Sequence, residues 1–143
     1  MVGQSLSGPG RDRPDGCGLH ILLVEDDAAL AAALALWLGR HGHAVRVAPD
    51  GPAALRMAEA SPPDVLVLDI GLPGLDGYGV AERLREQVVP RLPKAPLLIA
   101  LTGRAGEADR RRSEEAGIHL HLTKPVDAGQ LLGVLDRFQQ VIS

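Results

Sequence analysis

Cysteine occurs once, at Cys17, which excludes an internal disulfide and any cysteine-built metal site. A lone thiol in an exposed terminal segment fits a reducing cytoplasm. No stretch approaches the about 20 consecutive apolar residues that a membrane-spanning helix needs. The longest apolar run, Ala28–Leu38, is too short and too rich in alanine. The first residues lack the basic-then-apolar pattern of a secretory signal. Neither sign of charge dominates: 15 basic and 18 acidic side chains leave a formal net charge of −3. Such a chain feels no long-range pull toward nucleic acid or an anionic lipid surface.

What is present is one domain's worth of sequence, 143 residues of which 45% are apolar. Residues 1–18 carry Gly3, Gly8, Gly10, Gly16 and Gly18 with Pro9 and Pro14, and almost nothing to bury. They are expected to be a disordered tail, with the folded domain over 19–143.

From Leu19 two patterns alternate. Short, nearly continuous apolar runs at Leu19–Val24, Ala44–Ala48, Val65–Asp69, Leu97–Leu101 and Ile118–Thr123 read as strands covered on both faces. Arg46 interrupts the second run, which suits an edge. Between them Ala28–His41, Pro52–Ala60, Gly77–Gln87, Glu107–Ala116 and Ala128–Val141 read as helices. Asp27, Asp76 and Asp127 stand at N-cap positions and Gly117 at a C′ position. Leu30, Leu34, Trp37 and Leu38 form one helical stripe; Leu131, Leu135, Phe138 and Ile142 form another. Five βα units with short connections predict an α/β domain with a parallel sheet and right-handed crossovers.

Reactive groups in such a sheet collect at the carboxyl ends of the strands. The first strand ends in Glu25-Asp26-Asp27 and the third in Asp69, followed by Gly71, Pro73 and Gly74. The fourth ends in Thr102-Gly103 and the fifth in Thr123-Lys124-Pro125. Acids at Glu25, Asp26 and Asp69 suit Mg²⁺, a hard ion that prefers oxygen. Without a cation they would repel one another. A carboxylate can also attack phosphorus. Lys124 and the Thr102 hydroxyl, with the metal, can hold the oxygens of a transferred phosphoryl group.

Singly, each of these features is commonplace: an acidic triplet caps helices, and Thr-Gly and Lys-Pro make turns. Jointly, the stretches Ile21–Asp27, Asp64–Gly77, Ala100–Gly103 and Leu122–Pro125 resemble the response-regulator receiver family. The resemblance covers Leu19 to about Ile142. It implies a doubly wound, flavodoxin-like five-stranded sheet in the order 2-1-3-4-5 with helices on both faces. It implies Asp69 as phosphoacceptor and Glu25, Asp26, Asp69 and the Gly71 backbone carbonyl as Mg²⁺ ligands. Thr102 would be the switch hydroxyl, Lys124 the phosphate-binding lysine, and the bond before Pro125 cis. A sensor histidine kinase or a histidine phosphotransfer protein would be the donor, and the chain a cytoplasmic signalling switch, not an enzyme acting on a separate substrate. A monomer or weak dimer is expected. The sequence departs from the family at His121, where a Tyr or Phe is usual. An imidazole there is smaller and titrates near neutral pH.

Two rival functions are less consistent with these residues. A Mg²⁺-dependent phosphohydrolase with an Asp69 nucleophile would need a general acid, often two residues on, where Gly71 stands. A receiver-like module that binds partners without phosphorylation would lack an acid or the lysine, and none is missing. The pairs His41/His43 and His119/His121 show no third metal ligand and are expected to be partly exposed edge residues. Arg110-Arg111-Arg112 sits among Glu107, Asp109, Glu114 and Glu115, as a solvated helix face does. No DNA-binding module is expected after the last helix. The helix Glu107–Ala116 has no large apolar residue, so it should be weakly held, as a switch element is. The first helix, with Ala31 and Ala32 among its outward positions, is the expected docking surface for the phosphodonor.

Overall fold

The computed structural model describes residues 18–70, 77–103, 111–112 and 114–142. The expected tail except Gly18, the N-cap at Asp76, and most of Glu107–Ala116 before Arg111 therefore lie outside the described residues. The elements run β1 (His20–Val24), α1 (Ala28–Arg40), β2 (Ala44–Ala48), α2 (Gly51–Ala60), β3 (Val65–Asp69), α3 (Gly77–Arg83), β4 (Leu97–Thr102), β5 (Leu120–Thr123) and α4 (Ala128–Ile142). A π turn, Leu84–Val88, and a short 3₁₀ turn, Val89–Arg91, continue α3.

The five strands are parallel, in the order β2-β1-β3-β4-β5. Alternation along β1 shows how two layers form. Ile21 and Leu23 pack with Leu34 and Leu38 of α1 and Leu131 and Leu135 of α4. Leu22 and Val24 pack with Ala54 and Ala58 of α2, Val80 of α3 and Leu84 of the π turn. Helices thus cover both faces, and every residue of β3 is buried. Each fully buried Leu, Ile or Val contributes about 1.5–3 kcal/mol relative to exposure.

Arg46 is the exception, and its position on edge strand β2 explains it. Its guanidinium donates to the Ser61 carbonyl at 2.6 Å and lies 3.5 Å from that of Met57. A cation thereby meets carbonyls at the end of α2. Helix starts follow the expected chemistry: Asp27 accepts from the amides of Ala29 and Leu30, and Asp127 from that of Gln130. Asp50, which the sequence did not single out, caps α2 through the Ala53 amide at 2.8 Å.

The amino ends of the strands are closed by side chains from just before the neighbouring strand. Asp64 accepts from the His20 amide at 2.8 Å, His119 Nδ1 from Leu98 at 2.9 Å and His43 Nδ1 from Leu19 at 3.0 Å. His43 thus departs from the edge expectation: it is buried, because a strand amide needs its ring nitrogen. Gly18 is also buried, with φ +88° and its Cα against the Gly42 carbonyl, where a Cβ would approach to 1.9 Å.

The Leu19 amide makes Nδ1 the acceptor, so a neutral His43 carries its proton on Nε2. Burial holds the imidazole below its ordinary 6.5, with the nearby His41 adding and Asp136 opposing. The stability this contributes is full above 6.5 and lost as the pH falls from there toward the folded value. His43→Asn keeps an acceptor near the Nδ1 position and removes the titration. In urea melts its stability deficit against wild type should shrink between about pH 8 and about pH 5. A deficit that is constant across that range would remove His43 as an acid-sensitive group.

Candidate functional site

Four strand ends converge on one rim. Beyond β1 come Glu25 and Asp26; β3 ends in Asp69, β4 in Thr102; beyond β5 comes Lys124. Backbone bonds fix their relative heights. The Glu25 amide donates to Ala48, that of Ile70 to Leu101, and that of Lys124 to Thr102 at 2.7 Å. Because register is shared across the sheet, Thr102 lies opposite Thr123, and Lys124 follows at once.

The structure brings Glu25, Asp26 and Asp69 together, with one carboxylate oxygen from each within 4.8 Å of the others. Lys124 Nζ bonds Asp69 Oδ1 at 2.8 Å. Glu25, Asp69 and Thr102 are only 3%, 4% and 5% exposed, while Asp26 is open to solvent. His121 lies two residue pairs inside the rim, beside Ala100. The Lys124–Pro125 bond is cis. Gly71, whose carbonyl the family resemblance implies as a ligand, lies outside the described residues.

Charge is out of balance here. Burial raises the Glu25 carboxyl from 4.5 to about 7; the Asp27 amide pulls the other way, and Asp69 adds to the rise. Burial alone would lower the Lys124 ammonium, but its bond to Asp69 and the charges of Asp69, Glu25 and Asp26 outweigh that and raise it. One oxygen of Glu25 accepts from the Asp27 amide at 3.2 Å. The other, Oε1, is buried without a hydrogen-bond partner. A buried, unpartnered carboxylate oxygen between two further acids is the donor set that a hard divalent cation takes.

Gly77 is a site residue that the sequence reading treated only as a helix start. Its amide donates to the Ile70 carbonyl, and a Cβ there would lie 2.6 Å from Ile70 Cα and 2.8 Å from the Asp69 carbonyl. Only a glycine lets α3 begin this close to the acid. The Asp-Gly pair was visible in sequence, but not what it would abut.

Residues 21–136 match the model of the response regulator receiver domain. The chain belongs to that family. It is 40% identical over 124 residues to the transcriptional regulatory protein CseB of Streptomyces coelicolor, covering 83% of this chain and 50% of that protein. It is 38% identical over 128 residues to the transcriptional regulatory protein TcrA of Mycobacterium tuberculosis, covering 90% and 49%. The receiver thus spans about half the length of these two regulators. Among solved structures it resembles the receiver domain of sensor histidine kinase PA1611 from Pseudomonas aeruginosa, at 34% identity and a TM-score of 0.75 over 86% of this chain and 98% of that one. That structure holds a magnesium ion in its active site cleft. As a receiver domain of a response regulator, the chain is a component of two-component signalling.

Burying the Glu25 carboxyl, with Asp69 beside it, has a measurable cost. A carboxyl raised to about 7 contributes stability that is full below 4.5 and lost as the pH rises through about 7. Glu25→Gln keeps the oxygen that serves the Asp27 amide and removes the charge. In metal-free buffer at about pH 8 the variant should be the more stable, by on the order of 1–2 kcal/mol after allowance for solvent screening. At about pH 4.5 the gain should vanish. Equal stability at both pH values in urea melts would contradict the charge imbalance.

Proposed function

We propose that this receiver accepts a phosphoryl group on Asp69 and signals by protein contact, in the cytoplasm. The observation that supports this most directly is the buried Asp69 with Lys124 Nζ at 2.8 Å and two further acids beside it. The receiver unit is taken as 19–143, with 1–18 outside it.

Glu25, Asp26 and Asp69, with the Gly71 carbonyl, would hold Mg²⁺. When bound, that ion supplies positive charge against the phosphoryl oxygens. An Asp69 carboxylate oxygen attacks phosphorus, an O–P bond forms, and the P–N bond of a donor phosphohistidine breaks as the imidazole leaves. Lys124, already at Asp69, passes from the carboxylate to the new phosphoryl oxygens. The Thr102 hydroxyl, buried at the end of β4, donates to another. His121 stands where the family's moving ring does and follows the Thr102 shift. The chain so acts as a switch and not as an enzyme on a separate substrate.

Incubation with a small acyl phosphate and Mg²⁺ should add one phosphoryl group, read by intact-mass spectrometry. Asp69→Ala should add none, and chelating the divalent cation should abolish the adduct on the wild type. The same adduct on Asp69→Ala would overturn the assignment.

The donor, a histidine kinase or a histidine phosphotransfer protein, docks on α1. That helix carries no charge between Asp27 and Arg40, and Ala28, Ala29, Ala32, Ala33 and Leu36 are exposed, Leu36 to 58%. Small apolar side chains permit close approach of a partner helix. Ala31, expected on this outer face, is instead 1% exposed and belongs to the core, because it shares the stripe of Leu34 and Leu38. Ala32→Glu should slow transfer from the cognate donor by about tenfold, the effect of about 1.4 kcal/mol. Labelling by the acyl phosphate should be unchanged. Transfer at the wild-type rate would place the docking surface elsewhere.

A further inference from the structure

The segment between Thr102 and Lys124 joins two residues of the site, and its described part is held by more than its composition suggests. Arg111, Arg112, Glu114 and Glu115 are helical, and Ala116 and Ile118 are buried in the core. Two arginine contacts then tie this helix to α3 and to the π turn that continues it. The Arg112 guanidinium lies 4.5 Å from the centre of the Tyr78 ring. Arg85 donates to the Glu115 carbonyl and packs along Gly117.

Both ends of the Arg112 contact lead back to the site. Tyr78 follows Gly77, whose backbone abuts Asp69 and Ile70, and is itself only 4% exposed. Arg112 stands on the segment that leaves Thr102. Arg85 extends from the π turn Leu84–Val88, where the widened helix gives its side chains a new direction. Its charge meets carbonyls at a helix C-terminus, where a cation is favoured.

We propose that the Tyr78–Arg112 stack, seconded by Arg85 on the Glu115 carbonyl, is a latch that favours the arrangement in which Lys124 is bonded to Asp69 itself. The proposal rests on the phosphoacceptor reading for its signalling role. A two-state segment responds to any contact made in one state only. Losing the latch therefore raises the share of molecules in which Lys124 and Thr102 are free to meet a phosphoryl group, and speeds acceptance in proportion. One cation–π contact whose guanidinium is exposed sets the scale at about two- to five-fold.

Arg112→Ala, Tyr78→Leu and Tyr78→Phe, in the whole chain, test this against wild type. Arg112 is exposed, so its truncation leaves the core intact. Labelling by a small acyl phosphate with Mg²⁺ should be about two- to five-fold faster in Arg112→Ala and Tyr78→Leu. It should be unchanged in Tyr78→Phe, which keeps the ring. In the unlabelled protein, amide exchange at Ala116 and Gly117, which donate to Arg112 and Glu114, should accelerate by a similar factor in the first two variants. The His121 ring resonances should shift with them. Unchanged exchange in Arg112→Ala overturns the latch, as does labelling at the wild-type rate. A wild type that takes no label would overturn the phosphoacceptor reading alone, and amide exchange would still decide the latch.

Discussion

Glu25, Asp26 and Asp69 place three carboxylates within 4.8 Å, against the single ammonium of Lys124. The excess is maintained by backbone geometry: Glu25 is pinned through its amide to Ala48, Ile70 to Leu101, Lys124 to Thr102. Because each anchor is a sheet bond or its direct continuation, the acids cannot separate without unravelling strand ends whose neighbours are wholly buried. The site is a standing electrostatic cost, offset by the apolar layers beneath it. A cation and a phosphoryl group are the two additions that would relieve it, one by neutralising the acids and the other by giving the lysine a better partner.

The two ends of the sheet divide stability from function. At the amino ends, Leu19, His20 and Leu98 each find a side-chain acceptor, in His43, Asp64 and His119. Those bonds spare the strands the penalty of a buried, unpaired amide, about 1–3 kcal/mol each. At the carboxyl ends, Glu25 Oε1 is left buried and unpartnered. Among the described residues, Glu25 Oε1 is the buried unpartnered side-chain atom at the rim that carries the acids; the others, His20 Nε2 and His43 Nε2, lie at the amino ends.

The strands were legible because apolar runs of four to six residues bounded by Gly, Pro and Asp admit little else, and their ends named the acids, Thr102 and Lys124. Strand order was not: no periodicity shows that β1 lies between β2 and β3, and only the family resemblance supplied it. Contacts made across the fold were also hidden. His43 looked like an edge histidine because its partner, the Leu19 amide, lies 24 residues away. Ala31 looked exposed because alanine marks no face by itself. Gly77 revealed nothing until the backbone of Asp69 and Ile70 was seen against it.

The helix after Thr102 shows a subtler limit. Its lack of large apolar residues was read as a lack of anchorage, since hydrophobic burial is the usual means of holding a helix. Apolar content measures only one kind of attachment. Among the described residues Ala116 is small and still fully buried, and two polar contacts add to the hold: a guanidinium on an aromatic face and another on a carbonyl. Contacts of that kind differ from a buried leucine in a way that matters for a switch. They are directional, so a shift of an ångström or two breaks them, and Arg112 is exposed, so its guanidinium passes to water when the contact breaks. A helix held by leucines would resist movement in proportion to the area uncovered. A segment held in part by two arginines leaves its seat at a smaller cost, which is what the proposed latch requires.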